Sequence, residues 1–489
     1  MRLLLTILIF VLGIKSQAQR FNRSYDFFGV AQVAWAVEKA DSTIFVMCTS
    51  RDSNGNLLGL RPLIIDSLGN RLDSNQLFIP SSAVAAGWAN TTDATTDGGF
   101  IMGGGIDDGV DYGFLIKFNA QGDTVWTRRH GVNGFFDTFR QAKQTTDGGY
   151  IAVGETNRTN GQATDGWVVK TDSNGVLQWE QFYGSLNVIE AFYSIEETTD
   201  GGFIIGGRMR DDRLANNRNY DPIVYKIDSA GNVQWSYSFD TIYDDAPASV
   251  IQTKDGNYVF SSGITQTNPN LSKDYGKLAL FKLNQIGTLM WSKTYYQAGY
   301  DAQLVVVKEL SDSTLIAAGS MEVLGPKFKG FLVHAKQNGD SIFIEDYENV
   351  TGNNTNYNFL YDVIPMSDGG FMACGEVIGL PPAVPFRQDA WVIRVDSNGC
   401  ILANCLVGNE GLKLKDEGLK IYPNPTSGLL NIESKERLSR IGVYNLQGQK
   451  VMEINPTQSQ FELPEESGLY LVRIQDEKGN VFSEKVIKR

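Results

Sequence analysis

The chain has 489 residues, 42% of them apolar and 20% charged, which is enough to bury a sizeable core and excludes an intrinsically disordered protein. The net charge of −13 argues against a nucleic-acid-binding protein, because nothing in this balance offsets repulsion by a polyanion. Two histidines, His130 and His334, are too few to favour a histidine-based metal centre or a histidine-dependent nucleophile.

The first 18 residues have the pattern of a cleaved secretory signal peptide. A basic start at Arg2 precedes a twelve-residue, largely apolar run at 3–14, and the small residues Ser16 and Ala18 provide a cleavage site before Gln19. The run is too short to span a membrane as a mature helix. We therefore expect export through the Sec pathway.

The central part of the chain repeats itself about every 55 residues. An Asp-Gly-Gly-aromatic motif begins at Asp97, Asp147, Asp200 and Asp368, and weaker copies stand at Asp41, Asp255 and Asp312. Each unit has a second turn 25 to 32 residues later, such as the turn at Gly175, which is followed by Trp179. Such turns between apolar and β-branched runs predict two hairpins, and hence four antiparallel strands, in each unit. Seven units predict an all-β protein containing a seven-bladed β-propeller.

Two further positions recur in these units. A small residue stands seven residues after each Asp, where we expect neighbouring sheets to come close: Cys48, Gly104, Gly154, Gly207, Ser262, Gly319 and Gly375. A basic residue stands five residues before the second glycine in six units: Lys117, Lys170, Lys226, Lys282, His334 and Arg394. We interpret these as solvated or ion-paired positions, not as a catalytic series.

The stretch from Asp147 to Trp179 resembles the repeats of secreted bacterial proteins called seven-bladed β-propeller repeats. The resemblance covers residues 25–408. It implies the fold and no particular ligand, because propellers host unrelated functions.

One face of such a propeller carries the blade connections and the loops between second and third strands, where functional residues concentrate. Aromatic residues there could stack on sugar rings, or they could pack as core beneath the loops. The candidate ligand-binding residues are Tyr183, Tyr243, Tyr295, Tyr296, Tyr300, Arg208 and Arg210.

Acidic residues near the starts of the innermost strands form a partial ring: Asp137, Glu190, Asp245 and Asp301. Carboxylates in a ring could hold Ca²⁺ through oxygen ligands. Capping of loop amides by the same carboxylates is the alternative explanation. We expect no other cofactor.

The four cysteines divide into two kinds. Cys400 and Cys405 are close enough in sequence to close a small loop, and export permits a disulfide between them. Cys48 and Cys374 lie inside apolar runs, so we expect small buried side chains there. No spacing resembles a zinc site.

Beyond the repeats, residues 409–418 read as a polar linker, and 419–489 contain short alternating strands typical of a small Ig-like β-sandwich. This segment resembles the type A C-terminal sorting domain of the type IX secretion system of Bacteroidota. The residues that carry the resemblance, and that it implies form the sorting signal, are Tyr422, Pro423, Asn424, Pro425, Gly428, Gly448, Gly468, Tyr470, Lys485, Lys488 and Arg489. The resemblance implies contact with the type IX machinery and passage across the outer membrane. It also implies cleavage of the tail, with release or attachment to surface lipopolysaccharide. A carbohydrate-binding sandwich is the alternative.

The sequence thus predicts a secreted or outer-membrane cell-surface propeller that acts as a non-catalytic binding or scaffold module for a polysaccharide or a protein. The alternative is a polysaccharide-degrading hydrolase or lyase. Glycosidic chemistry needs two neighbouring carboxylates, one with a raised pKa, and no acid stands in an apolar context that would mark it. A Gly-x-Ser-x-Gly nucleophile motif is absent.

Overall fold

In the computed structural model, the described residues form 36 β-strands and no helix, so none of them forms a helix that could cross a membrane. The structure describes residues 20–26, 31–40, 43–51, 57–72, 79–80, 84–107, 111–131, 136–157, 163–185, 187–212, 219–267, 274–295, 301–323, 327–349, 357–379, 387–401, 419–424, 426–434, 437–444, 450–464, 468–476 and 481–488. The predicted signal peptide and linker lie outside these ranges.

Seven antiparallel blades follow one another along the chain, after a first strand, β1 (Phe21–Tyr25). Blade 1 comprises β2 (Ala31–Ala40), β3 (Thr43–Arg51), β4 (Leu57–Asp66) and β5 (Ile79–Pro80). Blade 2 comprises β6 (Val84–Ala86), β7 (Thr92–Ala94), β8 (Phe100–Asp107), β9 (Asp111–Phe118) and β10 (Thr124–His130). Blade 3 comprises β11 (Asp137–Gln144), β12 (Tyr150–Thr156), β13 (Asp165–Thr171) and β14 (Leu177–Tyr183). Blade 4 comprises β15 (Val188–Glu197), β16 (Phe203–Asp211), β17 (Asp221–Ile227) and β18 (Val233–Ser238).

The remaining blades continue in the same order. Blade 5 comprises β19 (Ser249–Gln252), β20 (Tyr258–Thr267), β21 (Asp274–Leu283) and β22 (Leu289–Tyr295). Blade 6 comprises β23 (Ala302–Glu309), β24 (Leu315–Val323), β25 (Lys327–Ala335) and β26 (Ser341–Tyr347). Blade 7 comprises β27 (Tyr357–Pro365), β28 (Phe371–Gly379), β29 (Arg387–Val395) and, as its outermost strand, β1.

The pairing of β1 with β29 closes the propeller. The two strands are antiparallel, with Phe21 opposite Arg394 and Tyr25 opposite Ala390. The innermost strands contact one another in a complete ring: β2, β7, β11, β15, β19, β23, β27 and back to β2. This ring confirms the seven-bladed propeller, and β1 extends it to Phe21, ahead of the expected start at residue 25.

In five of the six units the recurring basic residue is ion-paired within its blade, as one of the two expectations had it, and it is also buried. In blade 6, His334 instead shares a hydrogen bond of 2.8 Å with the Thr314 hydroxyl. Lys226 is 1% exposed, lies 2.9 Å from the carboxylate of Asp200 and donates to the carbonyl of Ile227 at 3.0 Å. Burial acts to raise the pKa of Asp200, but hydrogen bonds from Thr198 and Lys226 outweigh it and lower this pKa to about 2. The same pair recurs as Lys117 with Asp97, Lys170 with Asp147, Lys282 with Asp255 and Arg394 with Asp368.

The recurring small residue serves a different contact from the one we expected. In blades 3, 4, 6 and 7 this residue is a glycine that faces the innermost strand of its own blade, next to a β-bulge in that strand, and not a neighbouring sheet. A Cβ on Gly154 would stand 1.9 Å from the carbonyl oxygen of Thr138, and one on Gly375 would stand 1.8 Å from that of Phe359. The bulge brings backbone so close that larger side chains do not fit.

The cysteines follow the expected division. Cys48 and Cys374 are buried free thiols, and Cys400 is disulfide-bonded. Cys405, its predicted partner, lies outside the described residues.

The C-terminal segment forms a β-sandwich. One sheet contains β30 (Leu419–Tyr422), β31 (Leu429–Ser434) and β34 (Gln460–Glu462). The other contains β32 (Leu438–Tyr444), β33 (Lys450–Ile454), β35 (Gly468–Asp476) and β36 (Val481–Lys488). Both sheets contribute to one core, which includes Leu430, Val472 and Tyr470.

The implied sorting residues are spread over this sandwich. Tyr422, Pro423 and Asn424 are exposed, and the Tyr422–Pro423 peptide bond is cis. Gly428 has a φ of 141°, and its carbonyl accepts from the Leu463 N–H at 2.8 Å. Gly468 begins β35, Lys485 lies within β36, and the Lys488 ammonium donates to the Pro464 carbonyl at 2.7 Å. Pro425, Gly448 and Arg489 lie outside the described residues.

Candidate functional site

The β-bulges of the innermost strands turn single side chains toward the propeller axis. Five bulged residues have no direct partner on the second strand: Trp35, Arg140, Tyr193, Val305 and Tyr361. Val305 of blade 6 shares a cluster with Ala89 of blade 2, which lies across the ring. The bulged side chains therefore meet at the axis.

Trp88 reaches the axis from a break in the innermost strand of blade 2. Between β6 and β7 the Trp88 N–H donates to the carbonyl of Arg140 in blade 3 at 3.1 Å. Gly87 permits this approach, since a Cβ there would stand 2.4 Å from the same oxygen. Asn90 then adopts a φ of 55°, a left-handed conformation that asparagine tolerates better than most residues.

Four aromatic residues from four blades form what we call the axial aromatic layer: Trp35, Trp88, Tyr193 and Tyr361. The ring of Trp35 lies 4.9 Å from that of Tyr361 and 5.7 Å from that of Trp88. Trp88 also meets Tyr193 edge-on at 5.9 Å. Both tryptophans are half-buried. Because innermost strands run from the loop-bearing face to the hairpin-turn face, this layer lies toward the loops.

Three arginines surround one edge of the layer, and two of them are neutralised. Arg140 pairs with Glu155, and its guanidinium lies 5.6 Å from the Tyr193 ring. Arg210 pairs with Asp212 at 2.8 Å, and the hydrogen bonds that it donates to this carboxylate raise the pKa of Arg210.

Arg208 is the third arginine, and its charge is not paired. Its guanidinium lies 5.5 Å from the Tyr193 ring and 4.2 Å from the Tyr220 ring. The Nε atom is buried and has no hydrogen-bond partner, and no carboxylate among the described residues pairs with this side chain. A cation between two aromatic faces is stabilised by the ring quadrupoles, but its N–H donors stay available.

A polar cavity of about 380 Å³ lies along the same axis, toward the hairpin turns. Charged residues three positions after the bulge level line it: Glu38, Asp93, Lys143, Glu196 and Lys308. The cavity thus combines acids and lysines from five different blades.

The charged groups in this cavity change one another's pKa values. Burial raises the pKa of Glu38 to about 8, although the Lys308 ammonium 3.8 Å away acts in the opposite direction. Burial acts to lower the pKa of Lys308, but Asp362, at 3.0 Å, and Glu38 raise it above its usual value. The pKa of Lys143 is raised in the same way, because the charges of Asp93 and Glu196 outweigh the lowering effect of burial.

Two acids near Tyr220 also have raised pKa values. Burial raises the pKa of Asp221 to about 6, and the charge of Asp245 adds to this shift. Burial likewise raises the pKa of Asp245 to about 6, against hydrogen bonds from the Thr265 N–H at 2.7 Å and the Thr241 hydroxyl at 2.9 Å. Neither residue lies in an apolar run, so the sequence does not mark either as a carboxyl group with a raised pKa.

The structure corrects the expectation for two candidate ligand-binding tyrosines. Tyr183 and Tyr295 are buried, and their hydroxyls donate to the carbonyls of Gly231 and Gly339, each in the next blade, at 2.7 Å. Their rings hold adjacent blades together and are not free to stack on a ligand. Tyr347 makes the same contact with its neighbouring blade.

The other candidate ligand-binding residues differ in their surroundings. Tyr243 is half-buried, and its backbone exchanges two hydrogen bonds of 3.1 Å with the Thr241 hydroxyl. Tyr296 and Tyr300 lie outside the described residues. Arg208, in contrast, stands beside Tyr193 of the axial aromatic layer, and the guanidinium of Arg210 lies 4.9 Å from the ring of Tyr220.

The four candidate calcium ligands are engaged within their own blades. Asp137 accepts from the Thr156 hydroxyl, and Glu190 accepts from the Tyr225 hydroxyl at 3.1 Å. Asp245 caps the Thr265 N–H, and burial raises the pKa of Asp301. Within the described ranges, no group of three or more His, Cys, Asp or Glu side chains could hold a metal ion. These four acids are therefore not brought together, and the amide-capping explanation fits Asp245.

Sequence reasoning missed the axial aromatic layer, although a signal for it exists. Each bulged residue stands 14 residues before the small residue of its blade, or 13 before it in blade 1. Trp88 has no such signal, because the break in its strand is specific to blade 2.

One family model matches the chain, and it covers the tail. Residues 420–489 match the secretion system C-terminal sorting domain. No curated protein matches the chain.

Several solved structures resemble the chain at low identity. A fungal alcohol oxidase of the AA5 family in complex with copper has a TM-score of 0.46 at 10% identity, over 96% of this chain and 99% of the oxidase. A PL25 ulvan lyase has a TM-score of 0.47 at 8% identity, over 76% of this chain and 96% of the lyase. PorZ, a surface component of the type IX secretion system of Porphyromonas gingivalis, has a TM-score of 0.31 at 8% identity, over 92% of this chain and 69% of PorZ. At these identities and TM-scores, no activity is transferred from these proteins to this chain.

The tail therefore sets the destination of the protein. A β-propeller is joined to a sorting domain at residues 420–489, and the protein is exported by type IX secretion, a route of Bacteroidota, to the cell surface or the extracellular space.

Proposed function

We propose that the propeller is a non-catalytic binding module for an extracellular polysaccharide, with the axial aromatic layer as its binding site. The observation that carries this proposal is the convergence of two half-buried tryptophans, Trp35 and Trp88, at the axis beside an unpaired arginine. Aromatic faces pack against the C–H faces of sugar rings, while polar groups at their edge bind hydroxyls.

A protein partner is the other ligand class that the sequence allows. A stable protein interface takes about 800 Å² from each partner, spread over some twenty residues. In the axial aromatic layer, the centroids of contacting rings are instead only 4.9–5.9 Å apart, so the aromatic surface is concentrated at one point. This geometry favours a small rigid ring over a broad protein surface.

Binding of a panel of neutral and acidic oligosaccharides to the full chain tests the proposal by calorimetry. We expect Trp88→Ala to weaken binding at least about tenfold, because truncating a central aromatic contact costs about 2 kcal/mol or more. Trp88→Phe should retain part of the affinity.

A matched control comes from the outer edge of the same blade. Trp126 packs against the turn at Gly175 in blade 3, so Trp126→Ala should lower stability without changing affinity. Binding that survives Trp88→Ala, or that Trp126→Ala removes equally, would contradict an axial site.

A hydrolase or lyase is the second candidate, and the raised pKa values of Asp221 and Asp245 favour it. A carboxyl group with a pKa near 6 is suited to general acid catalysis. Release of reducing ends from any bound oligosaccharide, lost in Asp221→Asn, would support an enzyme. Binding without release supports the non-catalytic proposal.

We propose in addition that the tail is removed after transport, with release of the propeller or its attachment to lipopolysaccharide. Support comes from the sorting domain at residues 420–489. Intact mass measurement of the surface form should find a protein that lacks 419–489; retention of the tail would contradict this.

A further inference from the structure

We propose that the bound sugar carries an anionic group, a carboxylate or a sulfate ester, and that Arg208 binds it. This inference rests on the proposed polysaccharide site and specifies its ligand. Its starting point is the Arg208 guanidinium, held 4.2 Å from the Tyr220 ring and 5.5 Å from the Tyr193 ring, with a buried Nε that has no acceptor.

The neighbouring arginines show what Arg208 lacks. Arg140 has Glu155, and Arg210 has both oxygens of Asp212, at 2.8 and 3.1 Å. Arg208 has no such partner among the described residues. In the part of the chain that the structure describes, the two terminal nitrogens of Arg208 have no acceptor either and, unlike Nε, are not buried. An incoming group that accepts from both terminal nitrogens supplies the partner that Arg208 lacks. Carboxylates and sulfates have the planar or tetrahedral oxygen pairs that match the guanidinium fork.

The nearby carboxylates of the chain are already engaged. Asp244 accepts from the Tyr220 N–H at 2.9 Å, and Asp221 accepts from the Thr241 N–H at 3.0 Å. Neither of these carboxylates pairs with Arg208.

Tyr193 connects the two parts of the site. Its ring lies 5.9 Å from the ring of Trp88 on one side and 5.5 Å from the Arg208 guanidinium on the other. An oligosaccharide packed on Trp88 can therefore extend over Tyr193 and present a charged substituent to Arg208. The site therefore consists of an aromatic surface with a cationic group at one end.

Calorimetric titration of the full chain with three probes tests the inference: an oligogalacturonate, a sulfated neutral oligosaccharide and an uncharged xylo-oligosaccharide. We expect one of the anionic probes to bind at least about tenfold more tightly than the uncharged one. Preference for the first identifies a carboxylate, and preference for the second identifies a sulfate. Arg208→Gln should remove this preference, because it lowers affinity for the anionic probe much more than affinity for the uncharged one.

Two further measurements separate charge from folding. Arg208→Lys keeps the charge without the fork and should lose most of the preference, while affinity of the unaltered chain for the anionic probe should fall steeply with added salt. Arg128, whose guanidinium lies 5.4 Å from the Trp126 ring on the outer edge of blade 2, supplies the matched control Arg128→Gln, which should change neither affinity.

The outcomes distinguish this inference from the proposal on which it rests. Equal affinity for charged and uncharged probes, both lost in Trp88→Ala, overturns the role of Arg208 and leaves the polysaccharide site standing. A preference that survives Arg208→Gln also overturns it. Failure of all three probes to bind overturns both.

Discussion

Glu38 stands beside a lysine at the axis and nevertheless holds its proton to a pH far above the usual range of a glutamate. Burial in the axial cavity raises its pKa to about 8. The Lys308 ammonium acts to lower this pKa, but it lies closer to Asp362 than to Glu38 and offsets the effect of burial only in part. The folded state therefore binds more protons than the unfolded state between pH 4.5, the ordinary pKa, and pH 8. This stabilising contribution is complete below about pH 4.5 and is lost as the pH rises through 8.

Replacement of Glu38 by glutamine should remove part of this pH dependence. We expect the free energy of unfolding of the unaltered chain to fall between pH 5 and 9, and Glu38→Gln to reduce that fall by about 1 to 3 kcal/mol. Denaturant unfolding across this pH range measures both proteins. An identical fall in the two would show that Glu38 does not titrate above its ordinary range.

The innermost strand is the element that joins fold to function. Its small residue on the second strand accommodates a bulge, and the bulge directs one side chain to the axis. The hairpin-turn glycines are required for a different reason, their positive φ. Gly148 has a φ of 80°, and nothing lies within 4 Å of the position that a Cβ would take there.

Two glycines of blade 3 separate these requirements. Gly148→Ala places a side chain in a left-handed conformation and should cost about 1 kcal/mol. Gly154→Ala would place a Cβ 1.9 Å from the Thr138 carbonyl oxygen, so it should cost at least about 2 kcal/mol and displace Arg140. Denaturant unfolding of the two variants compares them, and a smaller loss for Gly154→Ala would contradict the bulge contact.

The elements that could be predicted are those with local signals. An Asp-Gly turn between two apolar runs indicates a hairpin regardless of its tertiary surroundings. The number of blades and the positions of the ion-paired lysines could therefore be predicted from the sequence. Strand β1 has no turn motif, and its partner β29 lies in the last blade, so the closing strand could not be predicted.

The candidate site was predicted less well, for a physical reason. An aromatic residue at a strand end has the same local sequence whether it faces solvent or packs on the next blade, and Tyr183 and Tyr295 do the latter. Trp35 and Tyr361, from blades 1 and 7, come together only when the ring closes, and no local sequence pattern predicts that contact. Arg208 could be predicted because it begins the longest loop-face segment of blade 4.

At the scale of the whole molecule, closure of the ring and assembly of the site are one event. The Asn22 side chain accepts from the indole N–H of Trp391 at 2.7 Å, and the Tyr25 hydroxyl donates to the Gly69 carbonyl at 2.8 Å. Strand β1 thereby ties blade 7 to blade 1, and the axial aromatic layer, drawn from blades 1, 2, 4 and 7, exists only in the closed propeller. The sorting domain directs the protein to the cell surface or the extracellular space.

The most direct test of an axial binding site is a crystal structure of the full chain with the oligosaccharide that binds most tightly. We predict a sugar ring packed on Trp88, with its charged substituent on the Arg208 guanidinium. A sugar seated on the outer edge of a blade, or on the sorting domain, would contradict the account.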